Sequence, residues 1–284
     1  MTPIIVWTAL LPIAMAALAL SWGSFRWGTT SRQMRYRLES GRRSIEPGSV
    51  SFRELEELPP PVQRFFHAAL TEGQPLISAV TVHQSGTFKM SRTTERWTPF
   101  TARQRVIIRR PGFDWEGRIA LLPGLSVRVH DAYIAGEGIL HASLFGLITL
   151  ANLQGTPAAA EGELMRFLAE TAWYPTALLP GPGIHWEAAD ESSARATLTD
   201  GGTAVTLLFR FNAEGLIESV RADARGRTVG KAVIPTPWEG RWWAYETHAG
   251  MRIPTEGEVA WLLPGGPKPY WHGRITRIAY EFAP

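Results

Sequence analysis

Residues 156–186, TPAAAEGELMRFLAETAWYPTALLPGPGIHW, contain the clearest helical signal in a chain that is otherwise patterned as β-strands. Thr156 is suited to cap the N-terminus of a helix, and Pro157 is suited to its first position. Apolar residues then follow at the i, i+4, i+7 and i+8 positions of one helical face: Ala160, Leu164, Phe167 and Leu168. This spacing predicts a central helix over residues 157–170, which covers a sheet and separates two β-rich halves.

Charged residues of the predicted helix lie three and four positions apart, so that opposite charges can pair along its polar side: Glu163, Arg166 and Glu170. Glu161 falls instead on the rim of the apolar face. Two interpretations of Glu161 are open. It is either a first-turn carboxylate that the helix dipole stabilises, or a partly buried acid with a chemical role.

Composition narrows the class of protein. The chain has 284 residues, of which 45% are hydrophobic, enough for one large domain or two small ones with a sizeable core. The absence of cysteine excludes disulfides, thiolate zinc sites and a cysteine nucleophile. Residues 26–43 hold six arginines and one glutamate, so the rest of the chain has a slight excess of acid. Because a nucleic-acid-binding domain carries positive charge on its folded face, no nucleic-acid partner is predicted.

The N-terminal segment has the character of a membrane anchor. Residues 2–25 contain no charged side chain, and residues 4–22 supply the ~20 apolar positions that a helix needs to cross a bilayer. No basic residue precedes the apolar run, as it would in a cleaved signal peptide. We predict an uncleaved single-pass transmembrane helix over residues 1–25 and an arginine-rich juxtamembrane linker over residues 26–51. The positive-inside rule then favours a cytoplasmic domain over residues 52–284, with a periplasmic domain as the alternative.

Strand patterns fill most of that domain. Apolar and polar residues alternate over residues 113–121 and again over residues 125–133, with a Pro-Gly turn between them. Beyond the central helix, alternation returns over residues 203–211. The meander continues with strands over residues 238–247, 251–263 and 270–282, joined by a turn at residues 248–250 and a loop at residues 264–269. Short strands at this spacing predict an antiparallel meander, so the fold class is mainly β, of the α+β type, with covering helices.

Two resemblances extend this prediction. Residues 55–284, with EGELMRFLAE, WYPTALLPG, TPWEGRW and GMRIPTEGEVAW, resemble an uncharacterised bacterial family of unknown function. The strand and turn pattern of residues 111–115, 127–136, 211–216 and 245–254 is distantly similar to the lipoprotein-carrier superfamily typified by LolA and LolB. This second resemblance implies a strongly curved antiparallel sheet, a half-barrel, whose concave face is capped by helices and encloses an apolar cavity.

Motifs for catalysis are largely absent. The seven histidines form no HExxH motif and no i, i+4 pair, so no metal site is predicted. The sequence lacks a G-x-S-x-G elbow, a P-loop and a G-x-G-x-x-G motif, and no cofactor or catalytic residue is predicted. Asp131 lies on the apolar face of its strand and needs a counter-charge from another element. A hydrolase or isomerase that uses Asp131, Glu161 or Glu163 is therefore an alternative function.

Aromatic residues give the stronger functional signal. The chain has 12 tryptophans, and Trp and Tyr combine apolar area with a polar group, which suits the mouth of a pocket. Core filling is the alternative role for most of them. We predict a ligand-binding set on the inward strand faces, the central helix and the Pro/Gly-rich loop after it: Phe113, Trp115, Asp131, Tyr133, Glu161, Trp173, Tyr174, Trp186, Phe209 and Trp238.

These observations predict a membrane-anchored domain that binds an apolar or amphiphilic, lipid-like small molecule in a cavity of its sheet. The hydrolase or isomerase is one alternative. A protein-interaction or sensor domain at the membrane, with an unidentified protein partner, is another. A closed apolar cavity would favour the first function, converging carboxylates in an open cleft the second, and an exposed apolar patch the third.

Overall fold

The computed structural model describes residues 2–89, 96–181, 183–230 and 232–284, with the side chains of residues 2–10, 12 and 13 outside the description. In this part of the chain, thirteen strands form one open antiparallel sheet. The predicted mainly β, antiparallel fold with covering helices is confirmed.

The strands, in chain order, are β1 Ile77–Phe88, β2 Thr98–Ile107, β3 Gly112–Leu122, β4 Leu125–Ile134, β5 Glu137–Leu144, β6 Ile148–Gln154, β7 Ile184–Asp190, β8 Ser193–Asp200, β9 Thr203–Phe211, β10 Ile217–Val229, β11 Ala232–His248, β12 Met251–Leu263 and β13 Gly266–Phe282. The α-helices are α1 Thr2–Ser40, α2 Pro60–Ala69 and α3 Pro157–Ala169. Short 3₁₀ turns lie at Phe52–Leu55, Glu170–Trp173 and Pro175–Leu178.

The strand order explains the position of the central helix α3. The order is β6-β5-β4-β3-β2-β1-β13-β12-β11-β10-β9-β8-β7, so the first and last strands pair in the middle of the sheet. The edge strands β6 and β7 are therefore consecutive in the chain. Because α3 connects these two edges, it crosses the face of the sheet.

The sheet curves around α3. The helix contacts β5 and also β9, which are nine strand spacings apart in the sheet order. On a flat sheet this separation would be about 43 Å at ~4.8 Å per strand, whereas α3, with 13 residues, is only about 20 Å long and ~10 Å across. Both contacts therefore require a concave face, which α3 covers. Gly138 of β5 permits a close approach, because a Cβ there would lie 2.3 Å from the Ala159 carbonyl of α3.

The start of α3 has the local structure that its sequence indicates. The Thr156 side chain accepts a hydrogen bond from the Ala159 backbone N–H at 3.2 Å, and Pro157 occupies the first turn. The core lies between α3 and the concave face, where Leu164 and Leu168 are fully buried. The α-helix ends at Ala169, and its last turn continues as a 3₁₀ turn.

The arginine-rich segment is not the linker that the sequence predicts, since α1 remains helical to Ser40. One side of this helix packs on the convex face of the sheet through the buried side chains of Trp27, Met34 and Leu38. These residues follow a helical spacing of seven and four, so docking stabilises the helix where composition alone indicates a loop.

The membrane-spanning prediction finds no support in the structure. Among the described residues, no helix is both long enough and apolar enough to cross a membrane. Part of the predicted span, the side chains of residues 4–10, 12 and 13, lies outside the described residues. On the described part of the same helix, several large apolar side chains are exposed: Leu11, Met15, Leu18, Trp22 and Phe25.

Candidate ligand-binding site

A cavity of about 690 Å³ lies between the first turns of α3, the β5–β6 edge and strands β10 to β13. This volume is within the range of about 300–1,000 Å³ that is typical of small-molecule sites. Apolar side chains line part of the cavity: Leu140, Leu153, Val233, Trp261 and Leu263. Charged side chains line it as well: Glu163, Arg225, Arg227 and Lys268. The cavity therefore offers both an apolar and a charged surface to one ligand.

A second cavity, of about 110 Å³, adjoins the first beneath α3. The two cavities share Phe88, Arg225 and Tyr270 as lining residues. Arg225 thus stands between the larger cavity and the aromatic interior.

Arg166 of α3 supplies the counter-charge that Asp131 needs. Its Nη1 is 2.7 Å from Asp131 Oδ2, and its Nε is 2.8 Å from Glu170 Oε1. Gln104 donates a hydrogen bond of 2.5 Å to the other oxygen of Glu170. The guanidinium also lies over the Trp115 ring at 5.4 Å. This cluster is well paired, the arrangement in which buried charges are tolerated.

Glu163 and Arg225 form a much weaker pair. Glu163 Oε1 and Arg225 Nη2 are 3.4 Å apart, and no described residue hydrogen-bonds to the buried Oε2 of Glu163. Burial, reinforced by the negative charge of Asp131, raises the pKa of Glu163 to about 8. At neutral pH this carboxyl is therefore mostly protonated, and it leaves the positive charge of Arg225 largely uncompensated.

A β-bulge turns Arg225 into the cavity. Ala222 of β10 is opposite Trp238 of β11, but the next pair is Arg225 with Thr236, so β10 contains one extra residue. Strict alternation from the inward-facing Ala222 would turn Ala224 inward and Arg225 outward. The extra residue reverses this, and Arg225 is buried with its guanidinium 4.8 Å from the Trp238 ring. Strand alternation alone therefore could not identify Arg225.

The structure distributes the predicted ligand-binding residues over three environments. Lining the smaller cavity are Trp115, Asp131, Trp173 and Trp238. Buried in the core, and lining neither of the two cavities, are Phe113, Tyr133, Tyr174, Trp186 and Phe209. Glu161 is exposed on the outer side of α3. None of the ten lines the larger cavity.

Contacts of the core residues explain their burial. Tyr133 donates a hydrogen bond of 3.0 Å to Asp200, and Tyr174 donates one of 2.8 Å to the Phe167 carbonyl. The rings of Trp186 and Phe209 pack edge to face at 5.2 Å. Their polar atoms and ring faces are therefore occupied within the protein.

The larger cavity contains residues that the sequence prediction missed. Trp261 and Tyr270 lie in late strands that the sequence predicts, so alternation within those strands is the signal that could identify them. The sequence places Glu163 on the polar side of α3, paired along the helix surface. That side instead borders the cavity, where Glu163 lies among other charged side chains and next to open volume.

A second polar cluster, the convex-face cluster, lies beneath α1 and consists of Ser31, Asp114, Glu116 and His130. Ser31 Oγ is 3.0 Å from His130 Nε2, and His130 Nδ1 is 2.8 Å from Asp114 Oδ1, a spacing similar to that of a Ser-His-Asp triad. However, Ser31 donates its proton to Glu116 Oε1 at 2.7 Å. The Trp27 ring covers His130 at 4.7 Å. The cluster therefore anchors α1 and does not present a nucleophile.

Comparison with known proteins places the chain in a family. It belongs to a family of unknown function, DUF6920, whose pattern matches residues 56–280. This confirms the family resemblance predicted for residues 55–284. A solved structure of a LolA superfamily protein from Nitrosomonas europaea is similar, with 11% identity, a TM-score of 0.35, and coverage of 78% of this chain and 94% of that chain. No curated protein matches the chain.

Proposed function

We propose that this protein binds an amphiphilic, lipid-like small molecule in the larger cavity, and that α1 holds it at a membrane. The proposal rests mainly on the cavity of about 690 Å³, whose lining combines apolar and charged side chains. An alkyl chain suits the apolar side chains, and a polar head group suits the charged ones.

The apolar lining residues favour a ligand with a long alkyl chain. Leu140, Trp261 and Leu263 are partly buried in the empty cavity, so a ligand can remove more of their surface from water. Each CH₂ group transferred from water into such a site contributes about 0.8 kcal/mol before the cost of ordering the chain. Affinity is therefore expected to rise with chain length until the cavity is filled.

The membrane part of the proposal is supported by the N-terminal half of α1. Leu18 and Phe25 are 71% and 62% exposed, and the neighbouring Met15 and Trp22 are also exposed, which is costly in water but favourable in lipid. The arginines that follow favour a cytoplasmic position for the sheet domain.

Two measurements test the membrane part of the proposal. If α1 is inserted in the bilayer, membrane association should resist a high-salt wash. If the sheet domain is cytoplasmic, an alkaline phosphatase fused after Phe282 should remain inactive. Release by salt, or strong phosphatase activity, would contradict the anchoring or the orientation.

The ligand part is tested with fatty acids of 8, 12 and 16 carbons and the full-length protein in non-ionic detergent. Ala158, in the first turn of α3, lines the cavity, so Ala158→Trp should fill part of it. Ala188→Trp on the exposed edge strand β7 is the matched control. We expect affinity to increase with chain length in the wild type and in Ala188→Trp, and to fall about tenfold or more in Ala158→Trp. Equal binding by all three proteins at every length would contradict a ligand in this cavity.

A further inference from the structure

We infer that the amphiphile carries an anionic head group, a carboxylate or a phosphate, and that Arg225 is the residue that binds it. This inference rests on the proposed function, because it assigns the chemistry of the ligand that occupies the same cavity.

Arg225 is a buried cation with most of its donors unused. The residue is 9% exposed, and its only hydrogen bond among the described residues is the 3.4 Å contact with Glu163. A guanidinium has five N–H donors, and a buried charge is costly unless it is paired. Arg166, only one helix turn from Glu163, shows the usual solution, with carboxylate oxygens at 2.7 and 2.8 Å. Arg225 has no such carboxylate partner within the described part of the chain, and it faces open volume instead.

The surroundings of Arg225 leave room for an anion. Gly162 lies beside the guanidinium, and a Cβ at this position would be 3.6 Å from Nε and 3.9 Å from Nη2 of Arg225. The Tyr270 hydroxyl accepts a hydrogen bond of 2.8 Å from Trp238 Nε1. Burial raises the pKa of Tyr270, so its hydroxyl keeps a proton that it can donate. Arg225 and Tyr270 therefore provide two kinds of donor at the boundary of the cavities.

The charge of the larger cavity favours the same class of ligand. Arg227 and Lys268 line it together with Arg225, whereas Glu163 is its acidic lining residue and is held largely neutral at pH 7. Arg227 donates a weak hydrogen bond of 3.3 Å to Thr236. An anionic head group is thus electrostatically complementary to the cavity lining, and a cationic one is not.

The deciding experiment compares palmitate with 1-hexadecanol, which has the same chain length but no charge, using the full-length protein in non-ionic detergent at pH 7. We expect wild-type protein to prefer palmitate by about tenfold or more, since hydrogen bonds to charged groups are strong. Arg225→Met should remove this preference, because the affinity for palmitate should fall much more than the affinity for hexadecanol. Arg221→Met on the exposed face of the same strand should bind as the wild type does. Arg225→Lys should restore part of the preference, because it keeps the charge without the planar fork.

The outcomes separate the two proposals. Equal affinity of wild-type protein for palmitate and hexadecanol would overturn the anionic head group while the cavity proposal stands, and this comparison does not depend on the folding of any variant. Failure of both ligands to bind above the level of Ala158→Trp would overturn the proposed function itself. Inorganic phosphate that competes with palmitate at equal concentration would show a site for free anions and would contradict an amphiphilic ligand.

Discussion

The convex-face cluster and the cavity beneath α3 each contain a carboxyl group, but the two groups differ in how completely they are hydrogen-bonded. On the convex face, Glu116 accepts hydrogen bonds from Trp27, Ser31 and Arg35 at 3.0, 2.7 and 2.8 Å. On the concave face, the described residues give Glu163 a single hydrogen bond, of 3.4 Å from Arg225. The first carboxylate belongs to a completed network, whereas the second borders open space.

The pKa values of Glu116 and Glu163 shift in opposite directions because of this difference. Burial opposes ionisation of Glu116, but the hydrogen bond from Ser31, the charge of His130 and the other donors overcome it and lower its pKa. At Glu163, by contrast, burial is the larger effect and the pKa is raised. Complete pairing therefore indicates a cluster that holds the fold together, and incomplete pairing beside a cavity indicates a site that a ligand completes.

The largest effect on stability is expected from Glu116→Ala. This change leaves the donors of Trp27, Ser31 and Arg35 without their acceptor and weakens the docking of α1, which should cost roughly 2–4 kcal/mol. Glu137→Ala is the matched control, because its pair with Arg37 joins α1 to the sheet at an exposed position and should contribute less than about 1 kcal/mol. Urea unfolding followed by tryptophan fluorescence measures both. Equal losses would contradict the structural role of the convex-face cluster.

Glu163→Gln should have the opposite effect, and only at high pH. Between its ordinary pKa of 4.5 and the folded value of about 8, the folded protein holds a proton that the unfolded chain releases. The free energy of unfolding therefore falls as pH rises through this window and becomes flat above it. The variant lacks this loss and should be more stable than the wild type by about 1 kcal/mol or more at pH 9, with little difference at pH 5. Parallel stability curves from pH 5 to pH 9 would show that Glu163 does not titrate in the fold.

Glu161→Gln, on the exposed side of the same helix, should give the smallest effect. Glu161 is the fifth residue of α3 and lies just beyond its first turn, where the helix dipole acts more weakly, so its loss should cost less than about 0.5 kcal/mol and leave ligand binding unchanged. The stability and fatty-acid affinity of Glu161→Gln would be measured over the same pH series and by the same titration as those of Glu163→Gln. A loss of binding in a normally folded Glu161→Gln protein would move the site to the outer side of α3 and favour the enzyme alternative.

Local sequence signals predicted the helix and the meander because both depend on near neighbours. Thr156 and Pro157 indicate the start of α3, and apolar alternation over residues 113–121 indicates a strand, whatever the rest of the chain does. The inward face of that strand also followed from alternation, since Phe113 and Trp115 are buried.

The site was harder to predict because it depends on departures from regular patterns. Arg225 faces inward only because β10 contains a bulge, and no residue type specifies a bulge at that position. Glu163 was expected in solvent because an amphipathic helix usually exposes its polar side. The docking of α1 was hidden by its arginine content, although Trp27 and Met34 have helical spacing.

The most direct test of a ligand site beneath α3 is to map where an amphiphile binds. Full-length protein would be irradiated with a palmitate analogue that carries a photoreactive diazirine on its chain, and the modified peptides would be identified by mass spectrometry. We expect labels on β5 near Leu140 and on β12 near Leu263, both suppressed by excess palmitate and by Ala158→Trp. If the labels that excess palmitate suppresses were confined to α1 or to the convex face, this result would contradict a ligand in the cavity beneath α3.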